Sequence, residues 1–422
     1  MSAITIGFAG LTHLGLNSAL AAADKGFSVI GWDHSNELVK QLDRAEIPIN
    51  EPGFEALFRE CRDRLNFTSD IKDLSRCDII YLAVDVPTDD TGKSDLSPIA
   101  ALLDQLSRHV EGETTVVILS QVPPGFTDSM SDRFSSLYYQ VETLIFGRAV
   151  ERATSPDRLI VGTRDPALAL PSTYQQFLKS FGCPIMPMHY ESAELCKIAI
   201  NCFLVASVST TNALSNICEK IGADWNEIAP ALRLDPRIGQ HAYLNPGLGI
   251  SGGNLERDLR NVVEMAAAND VDAGPIQEYR RFSETSKDWA LRSLLAALGG
   301  SLDRRTIGVL GLAYKDNTHS TKNSPALRLI GSLEGCTVRV YDPVVPATAA
   351  PGAIGTRSAA DCLDGCDAIC IMTPWDDFKG IDVEELSHRM SGTQVIDPYG
   401  LLDSKALAKA GLTHFVRGRP TT

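Results

Sequence analysis

Lys197 and Asn201 stand one helical turn apart in a segment that is otherwise apolar, Leu195, Ile198, Cys202, Val205 and Val208 falling at spacings of three and four. An ammonium and an amide so spaced can hold the oxyanion that develops when an alcohol surrenders hydride. Glu194, three residues before Lys197, falls on the same face by helical counting; a solvated stripe on a surface helix is the alternative. Downstream, Asn245 to Asp258 reads Asn-Pro-Gly-Leu-Gly-Ile-Ser-Gly-Gly-Asn-Leu-Glu-Arg-Asp. Gly247, Gly249, Gly252 and Gly253 crowd ahead of Asn254, and their missing Cβ atoms would let a ligand approach the backbone. A flexible surface turn has the same composition. Asp235, Arg237, Gly239 and Tyr243 lead into this loop.

A second chemistry-bearing group lies at the N-terminus. Ala3 to Ala9 predicts a strand, Leu16 to Lys25 a helix, and Phe27 to Trp32 a second strand ending at Asp33. The turn between the first two, Gly10-Leu11-Thr12-His13-Leu14-Gly15, keeps the outer glycines of the dinucleotide fingerprint. Thr12 replaces the middle one, where a side chain is expected to crowd a pyrophosphate. Asp33 follows Gly10 by 23 residues, the distance at which a carboxylate accepts from an adenosine ribose and repels a 2′-phosphate. The expected cofactor is NAD, with a plain βαβ unit as the bland alternative. Strands predicted at Asp78 to Val84, Thr115 to Leu119 and Arg158 to Val161 continue a doubly wound sheet. The loops leaving the first two, with Val84, Pro87 and Thr88 and with Ser120 and Gln121, should line the cofactor cleft, unless their prolines merely fix tight connections.

These groups need scaffolding from 422 residues, more than one core usually supports. A long helix is expected from Tyr190 to about Gly222, and helical pattern again from Asp258 to about Leu298. The last third repeats the first: Thr306 to Leu312 ends at Gly311-Leu-Ala-Tyr314-Lys315, Val338 to Tyr341 ends at Asp342, and strands follow at Ala368 to Met372 and Gln394 to Ile396. Lys315 and Lys322 near its first strand end could meet phosphates. The fold class is therefore α/β, two Rossmann-like doubly wound domains joined by a long central helix and a helical middle domain, with limits at 1–190, 191–300 and 301–422. Net charge is -14, from 39 basic and 53 acidic residues, which argues against a nucleic-acid or anionic-membrane surface. No signal peptide or membrane span is expected. The ten cysteines fall at no metal-ligand spacing, and Cys362, Cys366 and Cys370 read as core residues of a reducing, cytoplasmic protein.

Together these segments resemble the UDP-glucose/GDP-mannose dehydrogenase family almost end to end. The further landmarks are Ile49-Asn50-Glu51-Pro52-Gly53, Ser324-Pro325-Ala326-Leu327 and Tyr341-Asp342-Pro343. The resemblance implies oxidation of the C6 hydroxyl of a nucleotide sugar, twice, to a uronic acid with two NAD⁺ in turn. It also implies a homodimer on the central helix, with NAD in the first domain and the sugar's nucleotide in the last. The resulting cofactor set is Gly10, Leu11, Thr12, Leu14, Gly15, Asp33, Val84, Pro87, Thr88, Ser120, Gln121 and Lys322. The substrate set is Arg237, Tyr243, Gly249, Gly252, Tyr314 and Lys315, Arg237 reaching a neighbouring subunit's site. Lys197, Asn201, Asp258, Asn254 and Glu142 form the catalytic set, and no metal is expected.

The departures from the family pattern fall on one half of the reaction. The resemblance places a Cys nucleophile at Asn254, a second glutamate at Phe146 and a Thr at Gln121, all serving capture and hydrolysis of the aldehyde. Lys197, Asn201 and Asp258, which it assigns to alcohol activation, are kept. An amide cannot form a thiohemiacetal. The expected activity is a single two-electron oxidation to an aldehyde or ketone, or a transient oxidation. The rivals are a four-electron dehydrogenase working through an aldehyde hydrate and a catalytically silent nucleotide-sugar-binding subunit.

Overall fold

The computed structural model describes residues 4–87, 94–110 and 112–421. The chain divides into two compact units between Ile200 and Asn201. The first holds an eight-stranded sheet made of β1 (Thr5–Ala9), β2 (Ser28–Trp32), β3 (Leu65–Thr68), β4 (Ile79–Leu82), β5 (Thr115–Ile118), β6 (Leu137–Gln140), β7 (Leu159–Thr163) and β8 (Ile185–His189). Their order is β3-β2-β1-β4-β5-β6-β7-β8. All pairs are parallel except β6 with β7, where Tyr139 faces Gly162 in antiparallel register. Alternation explains why both faces are covered: Ile79 and Tyr81 of β4 enter one apolar cluster with Ile6 and Phe8, whereas Ile80 and Leu82 enter the other with Leu102 and Leu106. The sequence reading missed β3, β6 and β8, which are short and carry polar residues such as Asn66, Gln140 and His189.

The second unit carries a parallel sheet of β9 (Thr306–Leu310), β10 (Thr337–Tyr341), β11 (Ile354–Gly355), β12 (Ala368–Ile371), β13 (Gln394–Ile396) and β14 (Thr413–Phe415), in the order β11-β10-β9-β12-β13-β14. That is the 3-2-1-4-5-6 order of a dinucleotide fold. The same device closes the first crossover in both units. Asp33 accepts from Leu11 N at 3.0 Å, and Asp342 accepts from Leu312 N at 2.6 Å and Ala313 N at 3.1 Å. Cys362, Cys366 and Cys370 are fully buried, and burial pushes the first two thiols up to about 12.

Tyr190–Ile221 is one helix of 32 residues. The helical stretch expected from Asp258 to Leu298 is instead three helices, Asn254–Ala268, Gly274–Lys287 and Trp289–Ala297. The expectation that no run could span a membrane is also corrected, since by length and composition the 32-residue helix could. Its buried face nevertheless holds Ser209, Thr211, Asn212 and Ser215, polar groups that suit a protein interior. On the opposite side Phe203, Leu214, Ile217 and Ile221 are exposed at successive spacings of eleven, three and four.

Candidate functional site

The N-terminal crossover fits a dinucleotide. Gly10 has φ +102°, and a Cβ at Gly15 would lie 1.8 Å from Gly10 O, so neither tolerates a side chain. Thr12 does not need glycine's conformation: its φ is -72°, and its hydroxyl donates to Ala83 O at 3.0 Å. It opens the helix His13–Asp24, with Leu14 in its first turn. The buried Asp33 accepts from Leu11 N and from Ser35 N at 2.9 Å, leaving lone pairs for ribose hydroxyls. NAD⁺ should therefore bind at least about tenfold tighter than NADP⁺, roughly 1.4 kcal/mol, and Asp33→Ala should erode that preference. Equal affinities by calorimetry would contradict it. Ser120 is turned inward, donating to Val84 O at 2.6 Å, and Pro87 O accepts from Asp95 N at 2.8 Å. Thr88 lies outside the described residues.

The first unit also brings Lys197 to Glu142, Nζ to Oε2 at 3.2 Å, both side chains largely buried. Glu142 in turn accepts from Leu144 N. Glu194 does not join them. It is fully buried and accepts from Gly125 N at 2.6 Å and Thr127 N at 2.9 Å, capping the short helix Phe126–Met130. Burial raises its carboxyl pKa, while the bonds from Thr127 and Gly125 pull the other way. Counting by helical period put it on the site face, but a shared azimuth says nothing about what lies opposite each turn.

A cluster that sequence reading did not assign fixes the loop after Glu142. Glu51 accepts from Gly147 N at 3.0 Å, Ala149 N at 3.2 Å and His13 Nε2 at 2.7 Å. The Phe146 ring packs on His13 with centroids 4.3 Å apart. The only sequence signal was the Asn50-Glu51-Pro52-Gly53 turn.

In the second unit Asn201 Nδ2 donates to Asp258 Oδ2 at 2.5 Å, with Asp258 wholly buried and Arg257 Nε 3.3 Å from its other oxygen. The bond fixes which end of the Asn201 amide is the donor and leaves a second N–H available. The Gly-rich loop is hydrogen-bonded to its surroundings at three points. Gly247 N bonds Asn212 Oδ1 at 2.9 Å, Ile250 N bonds Ser283 Oγ at 2.8 Å, and Gly252 N bonds Lys322 O at 3.0 Å. Its glycines make room for protein: a Cβ would meet Ser283 O at 2.6 Å from Gly249, the Tyr314 ring at 2.6 Å from Gly252, and Lys322 Cε at 3.0 Å from Gly253. Gly252 also has φ +88°. Gly252→Ala should thus cost about 1–3 kcal/mol of stability in chemical denaturation, with part recovered in a Tyr314→Ala background. An unchanged midpoint would contradict this packing.

Asn254 is exposed and is the first residue of the helix Asn254–Ala268. Two residues on, Glu256 binds Lys287 Nζ at 2.7 Å and accepts from Asn323. The Ser251 hydroxyl beside Gly252 is buried without a partner. Tyr243 is exposed, its carbonyl accepting from Ser207 and Thr211. Arg237 is exposed and forms a two-pronged pair with Asp235 at 2.6 and 3.0 Å. The described residues include no three His, Cys, Asp or Glu side chains grouped to hold a metal.

Three family models match the chain: the NAD binding domain of the UDP-glucose/GDP-mannose dehydrogenase family over residues 4–179, its central domain over 191–284 and its UDP binding domain over 308–404. The chain is 30% identical to the UDP-glucose 6-dehydrogenase TuaD of Bacillus subtilis, covering 97% of this chain and 92% of that one. It is 29% identical to the UDP-glucose 6-dehydrogenase of Rhizobium meliloti, covering 97% and 98%. Among solved structures, a UDP-glucose dehydrogenase from Pyrobaculum islandicum superimposes with a TM-score of 0.84 at 26% identity, over 96% of this chain and 95% of that one. A UDP-D-ManNAc dehydrogenase from Pyrococcus horikoshii gives 0.85 at 25% identity, over 99% of each.

Proposed function

Because the chain belongs to the UDP-glucose/GDP-mannose dehydrogenase family, an NAD-dependent group of oxidoreductases acting on CH–OH donors, we propose that it oxidises a hydroxyl of a nucleotide sugar by one two-electron step. The observation that carries this reading is the amide of Asn254 at the start of the helix Asn254–Ala268. A helix N-terminus lowers a thiol's pKa and activates it as a nucleophile. An amide gains no such reactivity, so an aldehyde formed nearby stays free.

When bound, NAD⁺ supplies the hydride acceptor. Gly10, Leu11, Thr12, Leu14, Gly15 and Asp33 would hold it, with Val84, Pro87, Thr88, Ser120, Gln121 and Lys322 as further contacts. In this reading Lys197, oriented by Glu142, and Asn201, oriented by Asp258, stabilise the alkoxide oxygen. Arg237, Tyr243, Gly249, Gly252, Tyr314 and Lys315 take the substrate. Incubation with NAD⁺ and a panel of UDP- and GDP-hexoses tests the activity: NADH from at least one supports it. Tight binding of a nucleotide sugar without any NADH would establish the silent subunit instead.

Division at 190 and 300 into cofactor, central and nucleotide domains, and cytoplasmic residence, belong to the same proposal. So does a homodimer built on the exposed row Phe203, Leu214, Ile217 and Ile221. Phe203→Glu with Ile217→Glu should convert a dimer to monomer by light scattering. A wild-type monomer at micromolar concentration with full activity would contradict it.

A further inference from the structure

The second unit contains a cavity of about 380 Å³ that none of the roles above uses. It lies between the far end of the long helix (Asn216, Glu219, Lys220), the helix Trp289–Ala297 (Trp289, Arg292, Ser293) and the C-terminal strand and tail (Phe415, Val416, Arg419). Its volume is at the small end of the range of ligand pockets, about 300–1,000 Å³. Its walls combine two aromatic rings with a rim of cations. Lys220 and Arg292 are exposed and form no ion pair among the described residues, Arg292 donating only to Thr285 O at 2.8 Å. Arg419 is 3.4 Å from Asp224.

Among the described lining residues the one acid, Glu219, is already committed. Glu219 Oε1 accepts from Trp289 Nε1 at 2.9 Å and from Gly418 N at 3.0 Å. Behind the wall, Arg417 is 2% exposed with its Nε unpartnered, and its other nitrogens reach Gly247 O, Asn216 Oδ1 and Ser286 Oγ. Burial holds its pKa down to about 10, Glu219 opposing and Arg292 adding repulsion. Four cations, Lys220, Arg292, Arg417 and Arg419, therefore line or back this cavity, where among the described residues Glu219 and Asp224 stand against Arg417 and Arg419, in a chain whose net charge is -14. Local positive potential against an acidic whole is what an anion site requires.

We propose that this cavity binds a phosphate monoester carrying a flat aromatic or heteroaromatic ring, the dianion meeting Lys220, Arg292 and Arg419 and the ring lying along Trp289 and Phe415. Charge-assisted bonds to phosphate supply the affinity, and the aromatic walls supply the preference for a ring over a bare anion. Occupancy reaches the Gly-rich loop through one side chain, because Asn216 lines the cavity and holds Arg417, which grips the Gly247 carbonyl.

Phenyl phosphate is the test probe because it carries the ring and the dianion without a nucleoside that the nucleotide sites would recognise. Calorimetry on the full chain should give a Kd of about 1 mM or tighter, at least threefold tighter than inorganic phosphate. The double variant Lys220→Ala, Arg292→Ala alters two exposed side chains and should keep NAD⁺ affinity while weakening phenyl phosphate at least tenfold, roughly 1.4 kcal/mol. No binding by the unmodified protein, or equal binding by the variant, would overturn the site. Inorganic phosphate binding as tightly as phenyl phosphate would overturn the ligand class.

Discussion

Lys197→Ala is expected to lower turnover by about a hundredfold or more while leaving NAD⁺ affinity unchanged. The magnitude is that of removing one preorganised donor from an oxyanion site. The reason to expect the full effect is the geometry around the ammonium. Its Nζ is 3.2 Å from Glu142 and its side chain is mostly shielded from water, so the charge is held in place before any substrate arrives. A surface lysine tumbling in solvent would contribute little. Lys197→Arg should recover little of the loss, since a planar fork on a longer stem does not reproduce a compact ammonium. Turnover within a factor of about three of the unmodified enzyme would remove Lys197 from the chemistry.

That pair shows both what the sequence made legible and where it stopped. The helix carrying Lys197 and Asn201 could be read because apolar residues recur along it at three and four. Its expected limits, Tyr190 to about Gly222, agree with Tyr190–Ile221. Asp33 and Gly15 could be read because turn and strand spacing fix them locally. The contacts of Glu51 with His13, Gly147 and Ala149 span 38 to 98 residues, and no local pattern encodes such a meeting. The Gly-rich loop has a second reason for its glycines that the sequence did not show. Its density suggested space for a ligand, whereas at Gly249, Gly252 and Gly253 the space is taken by Ser283, Tyr314 and Lys322. Sequence shows that a Cβ is unwelcome but not what would strike it. Strands β3, β6, β8, β11 and β14 escaped because Asn66, Gln140, His189, Gly355 and His414 break the apolar run by which a strand as short as β13 could be read.

The second large effect concerns Asn254 and Phe146 together. Asn254→Cys puts a thiol at a helix N-terminus, where it should be activated, and should allow a covalent adduct with the aldehyde. With the Phe146 ring packed on His13 where the resemblance expects a second glutamate, that adduct should pass its hydride to a second NAD⁺, become a thioester and accumulate, detectable as a mass increase on the intact protein. Adding Phe146→Glu should release it as the uronic acid. A carboxylate there would stand in place of a ring that is 46% exposed, so the substitution does not open a core cavity. If Asn254→Cys alone releases uronic acid at a rate comparable to its first oxidation, the role given to Phe146 is wrong.

The central claim is the electron count of the unmodified enzyme. A free aldehyde offers no hydride until it becomes tetrahedral, and the amide at Asn254 gives no nucleophile to make it so. The direct measurement is NADH formed per nucleotide sugar consumed, with the product identified by mass. One NADH per sugar and an aldehyde or ketone is expected, or catalytic traces of NADH if the oxidation is transient. Two NADH and a uronic acid would contradict it.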